Sequence, residues 1–204
     1  MSIGQRIVMI GDSITEEGRF EDQEKIGDGY VRLIHDYLQV TEPDRGYQVI
    51  NKGVGGDRVT DLKSRWQQDV IELQPDTVSI SIGINDVWRQ LDQPHIEQVF
   101  PDQFEAIYQQ LIEQVYERTN AHIILMEPTV IEENIQSEGN QRLKDYVDIV
   151  RKLARTHQAT LVPTHQVFLT YLTSQSTYPL TTDGVHMNPA GNMLMAKTWL
   201  ETVR

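Results

Sequence analysis

The chain has 204 residues, 39% of them apolar and 24% charged, proportions that suit a globular protein with one sizeable core. Its formal charge of −12 opposes phosphate backbones and anionic lipid surfaces, so neither nucleic acid nor a membrane is expected as a partner. Cysteine is absent, which removes disulfides, thiolate metal sites and a thiol nucleophile together.

Short β-rich runs alternate with longer helical patterns. The first run, residues 6–10 (RIVMI), follows an opening without the pattern of a signal peptide, and a cytoplasmic location is the expectation. No apolar stretch approaches the roughly 20 residues needed to span a bilayer. Next come a predicted helix over 29–39, a strand over 47–51, a helix over 60–73 and a strand over 77–82. Over 102–119, Phe104, Ile107, Tyr108, Leu111, Ile112 and Val115 recur at the spacing of one helix face. A strand at 122–126 precedes a helix over 141–157, where Leu143, Tyr146, Val147, Val150, Leu153 and Ala154 form the apolar stripe. A strand at 160–162 and a helix over 189–203 complete the pattern. The alternation predicts an α/β domain over 1–204: a five-stranded parallel sheet between two layers of helices.

Ligands in such sheets bind beyond the carboxyl ends of the strands. Three segments combining glycine with small polar residues follow the first three strands, and they are expected to meet at one edge. In the first, Ser13 follows Gly11 and Asp12, where it could expose a nucleophilic hydroxyl with backbone N–H groups beside it. The same Asp-Ser pair, with Glu16 three residues on, also reads as a helix N-cap. The second segment, residues 53–57 (GVGGD), fails as a dinucleotide fingerprint because Arg58 stands where the third glycine belongs. Its glycines could aim an N–H at a developing oxyanion or simply make a tight turn. In the third segment, Asn85 could donate to an oxyanion, or close an Asx turn.

Farther on, Asp183 lies three residues before His186, close enough for its carboxylate to fix the imidazole tautomer, although a surface turn would look the same. The other five histidines lack metal-ligand spacing, so no metal is expected. His35 and His157 are expected on solvated helix faces, and acidic pairs such as Glu132-Glu133 as solvent-facing charge.

The order of these blocks resembles the SGNH, or GDSL, hydrolases: serine after strand one, glycine after strand two, Gly-x-Asn-Asp after strand three, and Asp-x-x-His before the last helix. That resemblance spans nearly the whole chain. It implies the flavodoxin-like form of the three-layer α/β/α sandwich, with Ser13 as nucleophile, His186 as base and Asp183 as its orienter. The Ser13 N–H, Gly56 and Asn85 are implied as oxyanion donors. Gly56 is preferred to Gly55 because the family glycine immediately precedes Asp or Asn. A narrower likeness, carried by residues 49–53 (VINKG), 61–66 (DLKSRW), 79–90 (SISIGINDVWRQ) and 123–128 (IILMEP), is to the intracellular acetyl xylan esterase branch. Those esterases tend to carry Trp before the catalytic Asp, where this chain has Thr182.

The resemblance implies hydrolysis of short acyl esters, acetyl above all, on xylo-oligosaccharides or related sugars, without a cofactor and with a homo-oligomer as the expected assembly. Trp88 is a candidate for stacking on a sugar ring. Asp12, Tyr30 and Arg58 adjoin the loops and are candidates for lining the pocket. The competing readings are a thioesterase or lysophospholipase acting on longer chains, and a non-catalytic carbohydrate-binding protein on the same fold.

Overall fold

The computed structural model describes residues 3–203. Five parallel strands form one sheet: β1 (Arg6–Gly11), β2 (Gln48–Gly53), β3 (Thr77–Ser81), β4 (His122–Met126) and β5 (Thr160–Val162), in the order β2-β1-β3-β4-β5. Every residue of β3, and every residue of β1 after Arg6, is buried. That is what a sheet covered on both faces requires, and why β1 reads as a continuous apolar run, whereas β3 buries small polar Thr77, Ser79 and Ser81 in alternation with Val78 and Ile80.

The helices are α1 (Ser13–Glu16), α2 (Tyr30–Thr41), α3 (Val59–Trp66), α4 (Ile84–Asp92), α5 (Pro101–Arg118), α6 (Glu138–His157), α7 (Thr164–Leu172) and α8 (Pro189–Val203), with a 3-10 turn at Pro43–Arg45. On one side of the sheet α2 packs against α8, which also meets α7 and β5. On the other, α5 lies between α3 and α6, and α4 rests on α6. The buried Trp199 ties α8 to the sheet through an Nε1–H bond to Ser79 Oγ of β3 at 3.0 Å.

Two registers position the functional edge. Gly11 at the end of β1 pairs with Gly53 of β2 on one side and with Ser81 of β3 on the other. The three strands therefore finish level, and the loops after them leave from one line. The strand order reverses direction at β1/β3, and that reversal opens the crevice in which α/β sheets hold their ligands.

The structure departs from the sequence pattern in a few places. The helix expected over 60–73 stops being α-helical at Trp66 and widens into a π turn over Gln67–Ile71, closed by Glu72 N–H to Gln67 O at 2.9 Å. α4 and α7 are helices that the periodicity did not reveal. His157 is only partly solvated: it is half-buried, its ring stacks on Tyr116 with centroids 6.2 Å apart, and its Nε2 has no hydrogen-bond partner among the described residues. His35 is likewise half-buried, bonded through Nδ1 to Asp36. No described helix is long and apolar enough to cross a membrane.

Candidate active site

At the end of β1 the two sequence readings of Asp-Ser fall to different residues. Asp12 is the N-cap of α1, its Oδ1 accepting from Ile14 N–H at 3.0 Å, so Ser13 is left free of capping duty. Ser13 stands at the first position of a four-residue helix, half-buried, with its hydroxyl 2.9 Å from His186 Nε2. Gly11 is required just before this turn. A Cβ there would lie 2.3 Å from both the Ser81 carbonyl and Thr15 Oγ1.

His186 comes from the loop before α8, 173 residues away. Its Nδ1 is 2.6 Å from Asp183 Oδ2, while Asp183 Oδ1 accepts from the N–H groups of Val185 and His186 at 3.0 and 2.8 Å. Burial would raise this carboxyl, but bonds from the His186 side chain and from backbone N–H groups outweigh it and hold Asp183 down at about 2. An ionised carboxylate only accepts, so Nδ1 must carry the proton. Neutral His186 then offers Nε2 as acceptor to the Ser13 O–H, the polarity that general-base catalysis needs.

The second loop folds as a turn in which Asp57 N–H donates to Val54 O at 3.3 Å. Gly56, exposed on that turn, has φ of 83°, in the left-handed region that glycine alone enters freely. The Gly55 backbone passes close to the nucleophile, since a Cβ on it would lie 4.0 Å from Ser13 Cβ. Asn85, buried at the start of α4, donates from Nδ2 to Asp57 O at 3.1 Å and so binds the third loop to the second. Asp86 makes a second tie, its carboxyl receiving Val59 N–H at 3.1 and 3.3 Å. Trp88, half-buried, makes a T-shaped contact with the His186 ring at a centroid distance of 5.8 Å. Ser13, Asp183, His186, Gly56, Asn85 and Trp88 are thus brought to one edge by three loops and the turn before α8.

Among the described residues no three His, Asp or Glu side chains come together in a way that could hold a metal ion. What the arrangement can do is acyl transfer: a hydroxyl beside an oriented base, with amide donors on the neighbouring loops.

The chain matches the GDSL-like Lipase/Acylhydrolase family over residues 9–194. It belongs to that family. An acetylxylan esterase of Geobacillus stearothermophilus is 37% identical over 98% of this chain and 94% of its own length. A solved structure of that esterase, Axe2, in a catalytic mutant form, superposes with a TM-score of 0.93 over 100% of this chain and 96% of its own, at 37% identity. An alpha/beta hydrolase from the metagenome of Lake Arreo, Spain, is 34% identical over the same shares, with a TM-score of 0.92. The solved catalytic mutants of Axe2 replace a serine, an aspartate or a histidine by alanine, the last two being three residues apart. A further variant of Axe2 replaces a tryptophan immediately before that aspartate.

In this GDSL-family chain Thr182 precedes Asp183. It is exposed, and both its N–H and its hydroxyl donate to the His186 carbonyl, at 2.9 and 3.2 Å, closing the turn and presenting no ring. Two expected pocket residues do not line a pocket. Asp12 is 2% exposed and serves as a cap, its carboxyl pushed up to about 7 by burial. Tyr30 is fully buried, its hydroxyl bonded to Thr15 Oγ1 at 2.9 Å under α1, so it supports the turn from behind. Arg58, the third candidate, is half-buried, with Nη1 donating to the Glu97 carbonyl at 2.6 Å.

Three supporting residues escaped the sequence reading. Arg65, within the block at 61–66, spans Gly11 O, Lys52 O and the carboxylates of Asp57 and Asp69, at 2.7 to 3.0 Å, joining the first two loops. Asn51, at the end of β2, holds Thr15 O and Ile26 O through Nδ2 and Gly53 N–H through Oδ1. Glu133, expected as solvent-facing charge, instead accepts three hydrogen bonds from residues 180–181.

Proposed function

We propose that this protein is a serine esterase that removes acetyl groups from xylo-oligosaccharides or closely related acetylated sugars. The observation that carries the serine mechanism is the chain of contacts from Ser13 Oγ to His186 Nε2, at 2.9 Å, and from His186 Nδ1 to Asp183, at 2.6 Å. The carbohydrate assignment is supported by the full-length likeness to the acetylxylan esterase.

In this reading Ser13 Oγ attacks the acetyl carbonyl while Nε2 of His186 takes its proton. Asp183 stabilises the imidazolium that forms. The oxyanion is held by the N–H groups of Ser13 and Gly56 and by Asn85 Nδ2. His186 returns the proton to the sugar oxygen as the C–O bond breaks, leaving an acetyl group on Ser13. Water, activated by the same imidazole, then attacks that ester and releases acetate. In the same reading Trp88 receives the apolar face of the sugar that carries the leaving hydroxyl, a role supported by its contact with His186.

The test is acetate release from acetylated xylo-oligosaccharides by the wild type and Ser13→Ala, with p-nitrophenyl acetate and octanoate assayed alongside. Release that disappears in the variant, with acetate preferred to octanoate, supports the whole reading. Ser13-dependent cleavage of p-nitrophenyl acetate without release from the sugar removes the carbohydrate assignment and keeps the serine mechanism. Undiminished activity in a folded Ser13→Ala protein removes that mechanism as well.

A further inference from the structure

A carboxamide can sit either way round, and only one way makes Asn85 a donor toward the catalytic edge. Its two neighbours each tolerate one end. The Asp57 carbonyl, 3.1 Å from Nδ2, has no proton to give. The Arg89 guanidinium, whose Nη2 donates to Oδ1 at 3.3 Å, has no lone pair to offer. A flipped amide would set oxygen against carbonyl and NH2 against a cation.

Arg89 is itself held from two sides. Its Nη1 pairs with Asp92 at the end of α4, and its guanidinium carbon lies 4.8 Å from the centre of the Trp88 ring. The same ring stands steeply to the His186 ring, at an interplanar angle of 71° with centroids 5.8 Å apart, which links the base to the same support. Asn85, Trp88, Arg89 and Asp92 fall one and two turns apart on α4, so a single helix face carries the whole assembly.

We propose that Arg89 is a positioning residue for the reaction: it locks the Asn85 amide with Nδ2 toward the oxyanion and strengthens that donor by polarising the amide through Oδ1. A cation at the carbonyl oxygen draws electron density from nitrogen, which makes the N–H groups more acidic and better donors to a negative oxygen. Such chained bonds reinforce one another in a low-dielectric setting, and Asn85 is buried. Since the benefit grows as the carbonyl oxygen becomes an oxyanion, the effect falls on kcat and leaves ground-state binding nearly alone. The inference rests on Asn85 being an oxyanion donor, and the test separates the two claims.

The experiment is a double-mutant cycle with Asn85→Ala, Arg89→Ala and the double variant, assayed for kcat and KM on an acetyl ester. Asn85→Ala is expected to lower kcat about 100-fold or more, the range for loss of one oxyanion donor. Arg89→Ala is expected to lower kcat about tenfold with KM changed less than about twofold, and added guanidinium ion to restore part of it where urea does not. In the Asn85→Ala background the Arg89 change should do nearly nothing, because its target is gone. A full tenfold loss in that background, or unchanged kcat in Arg89→Ala alone, overturns the role of Arg89 and leaves Asn85 in place. Unchanged kcat in Asn85→Ala overturns both. If Arg89→Ala does not fold, Arg89→Met, which keeps an aliphatic stem on Trp88, completes the same cycle.

Discussion

Glu133 grips Thr181 at two points: Oε1 accepts from the Thr181 N–H and from its hydroxyl, both at 2.8 Å, and from Leu180 N–H at 2.7 Å. Next to it, Glu132 adopts φ of 66° and donates its N–H to Gly184 O at 2.7 Å. The segment bearing Asp183 and His186 has no strand or helix of its own before α8, and it hangs from these bonds and from the Thr181–Met187 bridge.

Glu133→Ala should therefore loosen the base and not the nucleophile. The expected outcome is a fall in kcat of about tenfold, since small misplacement of a catalytic group is costly, with KM changed much less. Glu133→Gln retains an acceptor oxygen and should keep most of the activity near neutral pH. Burial would raise the Glu133 carboxyl, but the bonds from Thr181 and Leu180 prevail and hold it below the ordinary carboxylate range. A depressed acid stabilises the fold above its unfolded pKa and ceases to do so as pH falls through its folded value. Melting measured from pH 7 down to pH 3 should accordingly show a shallower loss in Glu133→Gln than in wild type. Equal kcat in wild type and Glu133→Ala would reduce the contact to a surface feature.

Asp183→Asn should be far more damaging than its small change suggests. Oδ1 of Asp183 receives two backbone N–H groups, from Val185 and His186. In the variant those donors draw the amide oxygen to themselves and turn its NH2 toward His186 Nδ1. That nitrogen must then accept, the ring proton moves to Nε2, and Ser13 faces a donor. The expected loss in kcat is about 10⁴-fold, the scale known for a wrong-tautomer base, with melting nearly unchanged. Steady-state kinetics with a thermal-melting control checks it, and retention of more than a tenth of wild-type kcat would contradict the tautomer argument.

How much of this was legible in the sequence depends on how local each signal is. β4 and β5 keep the boundaries read from their apolar runs, and α5 and α6 show their stripes because each is long enough to repeat its pattern several times. α4 is short, and its first turn carries the buried polar pair Asn85 and Asp86, which breaks the apolar periodicity. α7 is mostly apolar and lacks a side-chain cap at its start, so nothing announced its ends. In the site, Ser13, Asn85, Asp183 and His186 were visible because blocks of sequence carry them in a fixed order. Glu133 and Arg65 were not: each acts on backbone groups brought near only by folding, and a lone charge predicts no such partner.

Gly56 and Gly55 compete for one role in the sequence, and the backbone separates them. At φ of 83° an alanine in place of Gly56 would be strained, by roughly 1–2 kcal/mol, although no heavy atom lies within 4 Å of its Cβ. The strain must be relieved by turning the peptide, and the N–H turns with it. Gly55→Ala meets only ordinary contacts, to Glu16 at 3.9 Å and Ser13 at 4.0 Å, and its φ is not positive. Gly56→Ala is expected to lower both kcat and melting temperature, and Gly55→Ala to leave melting unchanged. The reverse ranking in melting would mean that the turn differs from the one described.

Asp86 gives the fold a pH dependence of its own. It is fully buried and ties α3 to α4 through Val59 N–H. Burial dominates its environment and pushes the carboxyl up to about 8, against the Val59 hydrogen bond and Arg58. In the unfolded chain the same group titrates near the usual value of about 4. Between those values the folded protein keeps a proton that the unfolded chain has released, so stability falls as pH rises, by up to about 1.4 kcal/mol per pH unit from this group. Asp12, raised to about 7 by its own burial, adds a contribution of the same sign. Asp86→Asn mimics the protonated acid, retains an oxygen for Val59 N–H and removes the titration. Denaturant unfolding at pH 5, 6, 7 and 8 should show a shallower decline in Asp86→Asn, leaving the part due to Asp12, and the variant should gain on wild type as pH increases. Parallel declines in the two proteins would mean that Asp86 is ionised in the folded state, with a charged partner strong enough to hold it there.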